Sequence, residues 1–203
     1  MWYKVNKIRV GTNIVRPVYK YSYDFRNKSI SQIQSDWWVT REWSYSAGSS
    51  WIYTSRDTVI WFPVDCSNAT KITMTWTANA SNTTTSWFSI GLMTTVTTQT
   101  SDAWIWLYGT FNSPSWAVSV YSNWSRANWN DIWAIRPWTY TATVVIDLLN
   151  KTISWSVPNK WTSTLSLTDA QVSAIKSMKW FNIYLSTWNT YTVTLSDVSI
   201  TIE

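Results

Sequence analysis

Six residues between positions 106 and 131 are of types suited to holding a sugar: Trp106, Tyr108, Tyr121, Asn123, Asn128 and Asp131. An indole or phenol face presents a flat surface that stacks on the C–H side of a sugar ring. Asn donates and accepts hydrogen bonds, and an ionised Asp accepts at two oxygens, so both orient hydroxyls. The six residues come from three stretches: "DAWIWLYGT" (102–110), "SWAVSVYS" (115–122) and "SNWSRANWNDIW" (122–133).

Other chemistries are limited by what the chain lacks. It has no histidine, which removes Ser-His-Asp and Cys-His nucleophile systems and histidine metal sites. Its single cysteine, Cys66, excludes a thiolate zinc site and a disulfide within the chain. In "FPVDCSN" that thiol reads as buried and inert. Glycoside hydrolysis works through two carboxylates flanking the scissile bond. No two acids here stand at i, i+2 or i, i+4 on a predicted strand, so no catalytic residue is assigned. "NWND" (128–131) and "VDCSN" (64–68) carry oxygens that suit calcium. Asn and Asp also form Asx-turns at such places. The turn reading is preferred, and no metal or cofactor is expected.

Charge narrows the partners. The 203 residues carry a net +5, but residues 1–41 hold +6 of it, from Lys4, Lys7, Arg9, Arg16, Lys20, Arg26, Lys28 and Arg41 against Asp24 and Asp36. The remainder balances at −1. This basic N-terminal segment fits either an acidic docking partner or a set of solvated, edge-protecting charges. The second is favoured, since no run of like charges is long enough to mark an interaction tail. Nucleic acid is not expected as a partner. The chain shows no apolar run of about 18 residues, so membrane insertion is not expected either. Residues 1–10 lack the apolar stretch of a signal peptide.

The elements that must position these residues read as nearly all β. Charged residues make up 13%, against about 25% in an average soluble chain. Ser, Thr and Asn supply the polarity. "KITMTWTA" (71–78) and "SWAVSVYS" (115–122) alternate apolar and polar residues, the mark of a strand with one buried face. Further strands are predicted over 57–64, 86–94, 102–110 and 180–187, with a hairpin over 139–157. In "YTVTLSDVSITIE" (191–203) the apolar parity switches after Leu195, which predicts a bulge near Ser196–Asp197. "LTDAQVSAIKS" (167–177) breaks the pattern. Thr168 and Gln171 form a capping box for a short amphipathic helix. Residues 22–36 lose apolar periodicity and suggest a boundary. The expectation is an all-β antiparallel β-sandwich over residues 23–203 with one short helix, preceded by a docking leader over residues 1–22.

The hairpin "TYTATVVIDLLNKTISWSV", the helix-bearing connection, "FNIYLST" and "TVTLSDVSITIE" together resemble the back half of a concanavalin A-like lectin/glucanase jelly roll. Glucanases of that family carry their acids as E-x-D-x-x-E. Glu42 and Glu203 are the only glutamates here and neither fits the pattern, so the resemblance implies binding without catalysis. "MWYKVNKIRVGTNIVRP" (1–17) resembles the leader of modular appendage proteins of candidate-phylum bacteria and their phages. It implies a virion or cell-surface location and docking into a larger appendage assembly.

The tryptophans pose a separate question. The chain has 19 Trp and 4 Gly, where average usage gives roughly 14 Gly. Trp124, Trp129, Trp133, Trp138, Trp161 and Trp188 stand among turn formers, where glycine is the expected residue. Three readings compete: a glycan platform, core residues such as Trp61, Trp76, Trp104, Trp106, Trp116 and Trp180, or glycines encoded by UGA and read as Trp. For the turn positions the third is preferred, because a bulky residue at positive φ is a steric outlier.

The functional expectation is a non-enzymatic module that recognises a glycan or another cell-surface ligand through loops or one sheet face, extracellular or virion-borne, with a homo-oligomer as an allowed state. A purely structural decoration domain is the alternative. A carbohydrate-active enzyme is the third and least favoured.

Overall fold

The structure is a computed structural model. It describes residues 9–10, 13–14, 18–36, 38–42, 45–47, 52–54, 58–80, 86–94, 105–110, 115–122, 125–133, 139–157, 161–187 and 193–203. Strands β1 (Arg9–Val10) and β2 (Asn13–Ile14) form a small separate hairpin. The rest builds two antiparallel sheets from β3 (Tyr19–Asp24), β4 (Trp38–Glu42), β5 (Tyr45–Ala47), β6 (Ile52–Thr54), β7 (Thr58–Pro63), β8 (Lys71–Ala80), β9 (Ser86–Met93), β10 (Ile105–Thr110), β11 (Ser115–Ser122), β12 (Ser125–Trp133), β13 (Thr139–Asp147), β14 (Thr152–Val157), β15 (Trp161–Ser166), β16 (Trp180–Thr187) and β17 (Val193–Ile202). Helices α1 (Ile30–Asp36) and α2 (Asp169–Lys176) complete the described elements. The seven-stranded sheet runs β12-β11-β10-β9-β16-β7-β4. The eight-stranded sheet runs β15-β14-β13-β8-β17-β6-β5, with β3 also paired to β17.

The expected β-sandwich is present, and the alternation seen in the sequence explains it. On β8, Ile72, Met74 and Trp76 are wholly buried. The threonines between them are half-buried on the other face. There Thr75 shares a hydrogen bond with Thr143 (3.2 Å) and Thr77 with Thr141 (2.9 Å). Val144 and Ile146 on β13, Ile153 on β14 and Ile200 and Ile202 on β17 join the same core. Phe62 on β7 bridges the layers. Its ring lies 5.5 Å from Tyr21 on β3 and 4.9 Å from Phe181 on β16.

The bulge expected in β17 is there. Pairing with β8 slips between Leu195 and Asp197, so Leu195 and Val198 both reach the core despite their opposite parity. Ser196, the extra residue, is buried. Its hydroxyl donates to the Asp197 carboxylate (2.7 Å) and its carbonyl accepts from the Phe25 amide (2.8 Å). The slip also changes partners: β17 pairs with β6 before it and with β3 after it.

Two expectations differ from the structure. A second helix, α1, forms where periodicity was weakest. The Ser29 hydroxyl accepts from the Gln32 amide (3.2 Å) and the Gln32 side chain accepts from the Ser29 amide (2.8 Å). That is the same reciprocal cap that starts α2, between Thr168 and Gln171. Ile33 is buried, and the Tyr23 hydroxyl donates to Asp36 (2.9 Å). Strand β3 pairs along all six of its residues with β17. Finally, Trp129, Trp133 and Trp161 stand in strands rather than turns, Trp129 and Trp133 in β12 and Trp161 in β15. Among the described residues, positive φ outside glycine occurs at Asn27 (59°) and Lys151 (53°) and at no tryptophan. Extended backbone holds an indole without strain, and Trp favours strands. The steric case for glycine is therefore absent at 129, 133 and 161. Trp124, Trp138 and Trp188 lie outside the described residues.

Candidate functional site

The seven-stranded sheet has an inner and an outer face. Ile60 and Phe62 on β7, Phe181 and Ile183 on β16, and Leu92 on β9 are buried in the core. Side chains alternate across a strand, so the residues between these belong to the outer face. Register extends that assignment across the sheet. One row reads Trp38 (β4), Trp61 (β7), Asn182 (β16), Gly91 (β9), Trp106 (β10), Ser119 (β11) and Trp129 (β12). The next row along the strands reads Val59, Tyr184, Ser89, Tyr108, Ala117 and Asp131. The inner register positions are Ile105, Leu107 and Gly109 on β10 and Trp116, Val118 and Val120 on β11. Trp106, Tyr108, Trp129 and Trp133 thus stand at outer register positions and Trp116 at an inner one.

The outer face is not uniform. At β7, β16 and β9 it is covered: Trp61 and Met93 are wholly buried although they stand outside the main core cluster, and Gly91 and Asn182 are buried beside them. Towards β12, columns of large and small residues alternate. Strand β10 carries Trp106 and Tyr108, β11 carries Ser115, Ala117 and Ser119, and β12 carries Trp129, Asp131 and Trp133.

Of the six residues singled out from the sequence, register puts Trp106, Tyr108, Tyr121 and Asp131 on this outer face of β10, β11 and β12. Asn128 pairs with Val120 and takes an inner register position. Asn123 lies outside the described residues. The register slips between Val120 and Tyr121, where Tyr121 pairs with Arg126. Sequence reasoning passed over Trp129 and Trp133 because it took them for turn residues. The alternation Trp129, Asp131, Trp133 in "NWNDIW" was the signal for a strand.

The two candidate cation loops fare differently. In the first, Asp65 accepts from the Ser67 hydroxyl (2.7 Å) and the Ser67 amide (3.0 Å), an Asx-turn. Those bonds hold its carboxyl below the usual carboxylate range. Beside it, burial pushes the Cys66 thiol up to about 12, with the Asp65 charge adding to the effect. In the second, residues 128–131 belong to β12, where Asn128 and Asp131 take opposite parities. Among the described residues, no group of three His, Cys, Asp or Glu side chains is arranged to hold a metal ion.

No family model and no curated protein matches the chain. Solved structures do. The CBM2 module of Lactobacillus casei BL23 phage J-1 evolved Dit superposes with a TM-score of 0.62 at 11% identity, covering 91% of this chain and 96% of that one. The legume lectin-like domain from Entamoeba histolytica superposes with a TM-score of 0.65 at 7% identity, covering 88% and 95%. The fold is the concanavalin A-like lectin jelly roll. The Crh5 transglycosylase shares this jelly roll, with a TM-score of 0.58 at 13% identity over 91% of this chain and 83% of that one. Function therefore has to be argued from the residues on the scaffold, since one fold hosts many activities.

Proposed function

We propose that the chain is a non-enzymatic carbohydrate-binding module, working outside the cell on a virion or cell-surface protein, with its glycan on the outer face of the seven-stranded sheet. The observation that carries this reading is the register of β10, β11 and β12, which gathers Trp106, Tyr108, Trp129 and Asp131 on one face. Aromatic faces and hydrogen-bonding groups together match a sugar, which is apolar on its ring faces and polar at its edges. The lectin-like and CBM2 neighbours support the same ligand class. Asp131 is the one acid that register puts on this outer face among the described residues, and hydrolysis takes a pair. Among the described residues, no helix is long and apolar enough to cross a membrane.

The basic residues before β3 would dock the module to a larger assembly, and the phage Dit neighbour favours a virion setting. UGA read as glycine is kept as a proposal for Trp124, Trp138 and Trp188. UGG codons there would end it, and UGA codons would sustain it. A glycan array screened with the purified chain tests the main reading. Binding to a defined set of glycans is expected, and binding to none removes the reading.

A further inference from the structure

The outer face of the eight-stranded sheet has no part in the sugar site, and its side chains form an ordered surface of their own. We infer that this is the face on which two copies of the chain pack against each other, back to back. The inference stands apart from the carbohydrate reading and goes beyond it, to an interaction surface and its partner.

The surface follows from parity. Met74 and Trp76 on β8, Val144 and Ile146 on β13 and Val198 and Ile200 on β17 are buried, so the residues between them face outward. The same holds beside Tyr23 on β3 and Ile153 on β14. Register aligns the outward residues in rows. One row reads Ser22 (β3), Ser199 (β17), Thr75 (β8), Thr143 (β13) and Ser156 (β14). The next reads Lys20, Thr201, Thr73, Val145, Ser154 and, on β15, Thr164. All but Lys20 and Val145 carry a hydroxyl. None of them is buried, in contrast to Trp61 and Met93 on the outside of the other sheet.

The chemistry of these rows fits a second copy. A hydroxyl both donates and accepts, so a hydroxyl surface is complementary to itself. A two-fold dimer needs that property, because it sets the same patch of each subunit against the other. The pairs Thr75–Thr143 (3.2 Å) and Thr77–Thr141 (2.9 Å) each use one of two O–H donors within the sheet and leave the other to reach across. Charge is kept to the border. Lys20 and Asp24 stand on β3, Asp197 in the row beyond Ser199, and Lys71 and Asp147 in the row beyond Thr73 and Val145. Interface centres are likewise depleted of charge, and a border of both signs does not repel its own copy as a single-sign border would. A sugar finds no aromatic to stack on in either row, and a strongly charged partner finds no matching field at the centre.

The area is of the right order. From β3 to β15 the strands in these rows span about 24 Å, and the rows, with one charged row on each side, span about 20 Å along the strands. That is roughly 500 Å² per copy, or about 1,000 Å² in all, the size at which specific interfaces begin. An interface this small and polar belongs at the weak, micromolar end of affinities. Back-to-back packing leaves the seven-stranded sheet of each copy outermost. With the carbohydrate reading, the dimer then presents two sugar faces pointing away from each other, and it cross-links two glycan chains rather than gripping one twice.

The test is sedimentation equilibrium of the full chain from about 1 to about 200 μM, which brackets that range. A monomer–dimer equilibrium is expected. Thr75→Lys places a charge at the centre of the face, and two of them in a dimer. It is expected to raise the dimer Kd at least about tenfold, with the unfolding midpoint close to the parent's. Ser154→Lys makes the same test on another strand, should Thr75→Lys fail to fold. Ser173→Lys, at an exposed position of α2, controls for added charge and is expected to keep the parent's Kd. A chain that stays monomeric throughout the range would overturn the inference, as would a dimer that Thr75→Lys and Ser154→Lys leave as tight as the parent. Equal weakening by Ser173→Lys would overturn it too, by tracing the loss to net charge rather than to this face.

Discussion

Trp76 offers the sharpest test of whether the indoles are part of the fold. It stands on β8 between β13 and β17 and has no exposed surface. Trp76→Gly deletes the whole side chain from the contact between the two sheets. Truncating a buried Trp costs about 3–5 kcal/mol through lost transfer energy and the cavity left behind. Glycine in a strand interior adds about 0.5–1 kcal/mol relative to alanine. Together these give about 4–6 kcal/mol. In a chain of this size each kcal/mol moves Tm by roughly 2–4 °C, so Tm should fall by roughly 10–20 °C. Domain stabilities are about 5–15 kcal/mol, which leaves Trp76→Gly near the limit of folding. Trp76→Phe keeps most of the volume and is expected to cost about 1–3 kcal/mol. Urea unfolding followed by far-ultraviolet circular dichroism measures both. If both variants unfold within about 0.5 kcal/mol of the parent, the indole does not fill the core. Glycine would then be the residue this position was built for.

Further outcomes follow from the caps, turns and buried groups. Thr168→Ala removes the hydroxyl that accepts from the Gln171 amide and should cost about 1 kcal/mol in urea unfolding, while Thr168→Ser should be nearly silent. Asp147 accepts from the amides of Leu149 (3.1 Å) and Asn150 (2.8 Å) and from the Asn150 side chain (2.8 Å). The bonds from Asn150 hold its carboxyl below the usual range. Its folded value is depressed, so its contribution is present above the unfolded carboxylate pKa of about 3.9 and is lost as pH falls through the lower folded value. Amide exchange at Leu149 and Asn150 should therefore accelerate in that acid window in the parent, and at neutral pH already in Asp147→Ala. Exchange that is flat with pH, once corrected for intrinsic rates, would refute the turn's dependence on the carboxylate. Cys66 is buried, with its thiol pushed up to about 12. It should resist a disulfide reagent at pH 8 in the folded protein and react fully in urea; fast native labelling would show that the site opens.

Much of the scaffold was legible because its signals are local. The alternation in β8, the hairpin of β13 and β14, the parity switch at Ser196 and the Thr168–Gln171 cap each lie within a few residues, and each matches the structure. Helix α1 shows the opposite case. Its Ser29–Gln32 cap is the same signal, but Ile33 is its single buried apolar residue with a described environment, so periodicity could not support it. Sheet order was not legible, since β16 pairs with β7 and β9 from far along the chain. For the candidate site, period two explains why Trp106 and Tyr108 share a face. Asn128 was grouped with Asp131 on the assumption of a loop. In a strand, residues three apart take opposite faces, and β12 is a strand. The loop reading came from treating Trp129 and Trp133 as misplaced glycines.

The central claim is that sugar is held on the outer face of β10, β11 and β12. Its most direct test is calorimetric titration of the parent and of Trp106→Ala/Tyr108→Ala with the tightest glycan from the array. Removing two stacking rings should cost about 0.5–1.5 kcal/mol each, a combined loss of roughly 5–140-fold in Kd, with Tm held within a few degrees of the parent. Unchanged affinity in a folded double variant would contradict the claim and move the site off this face.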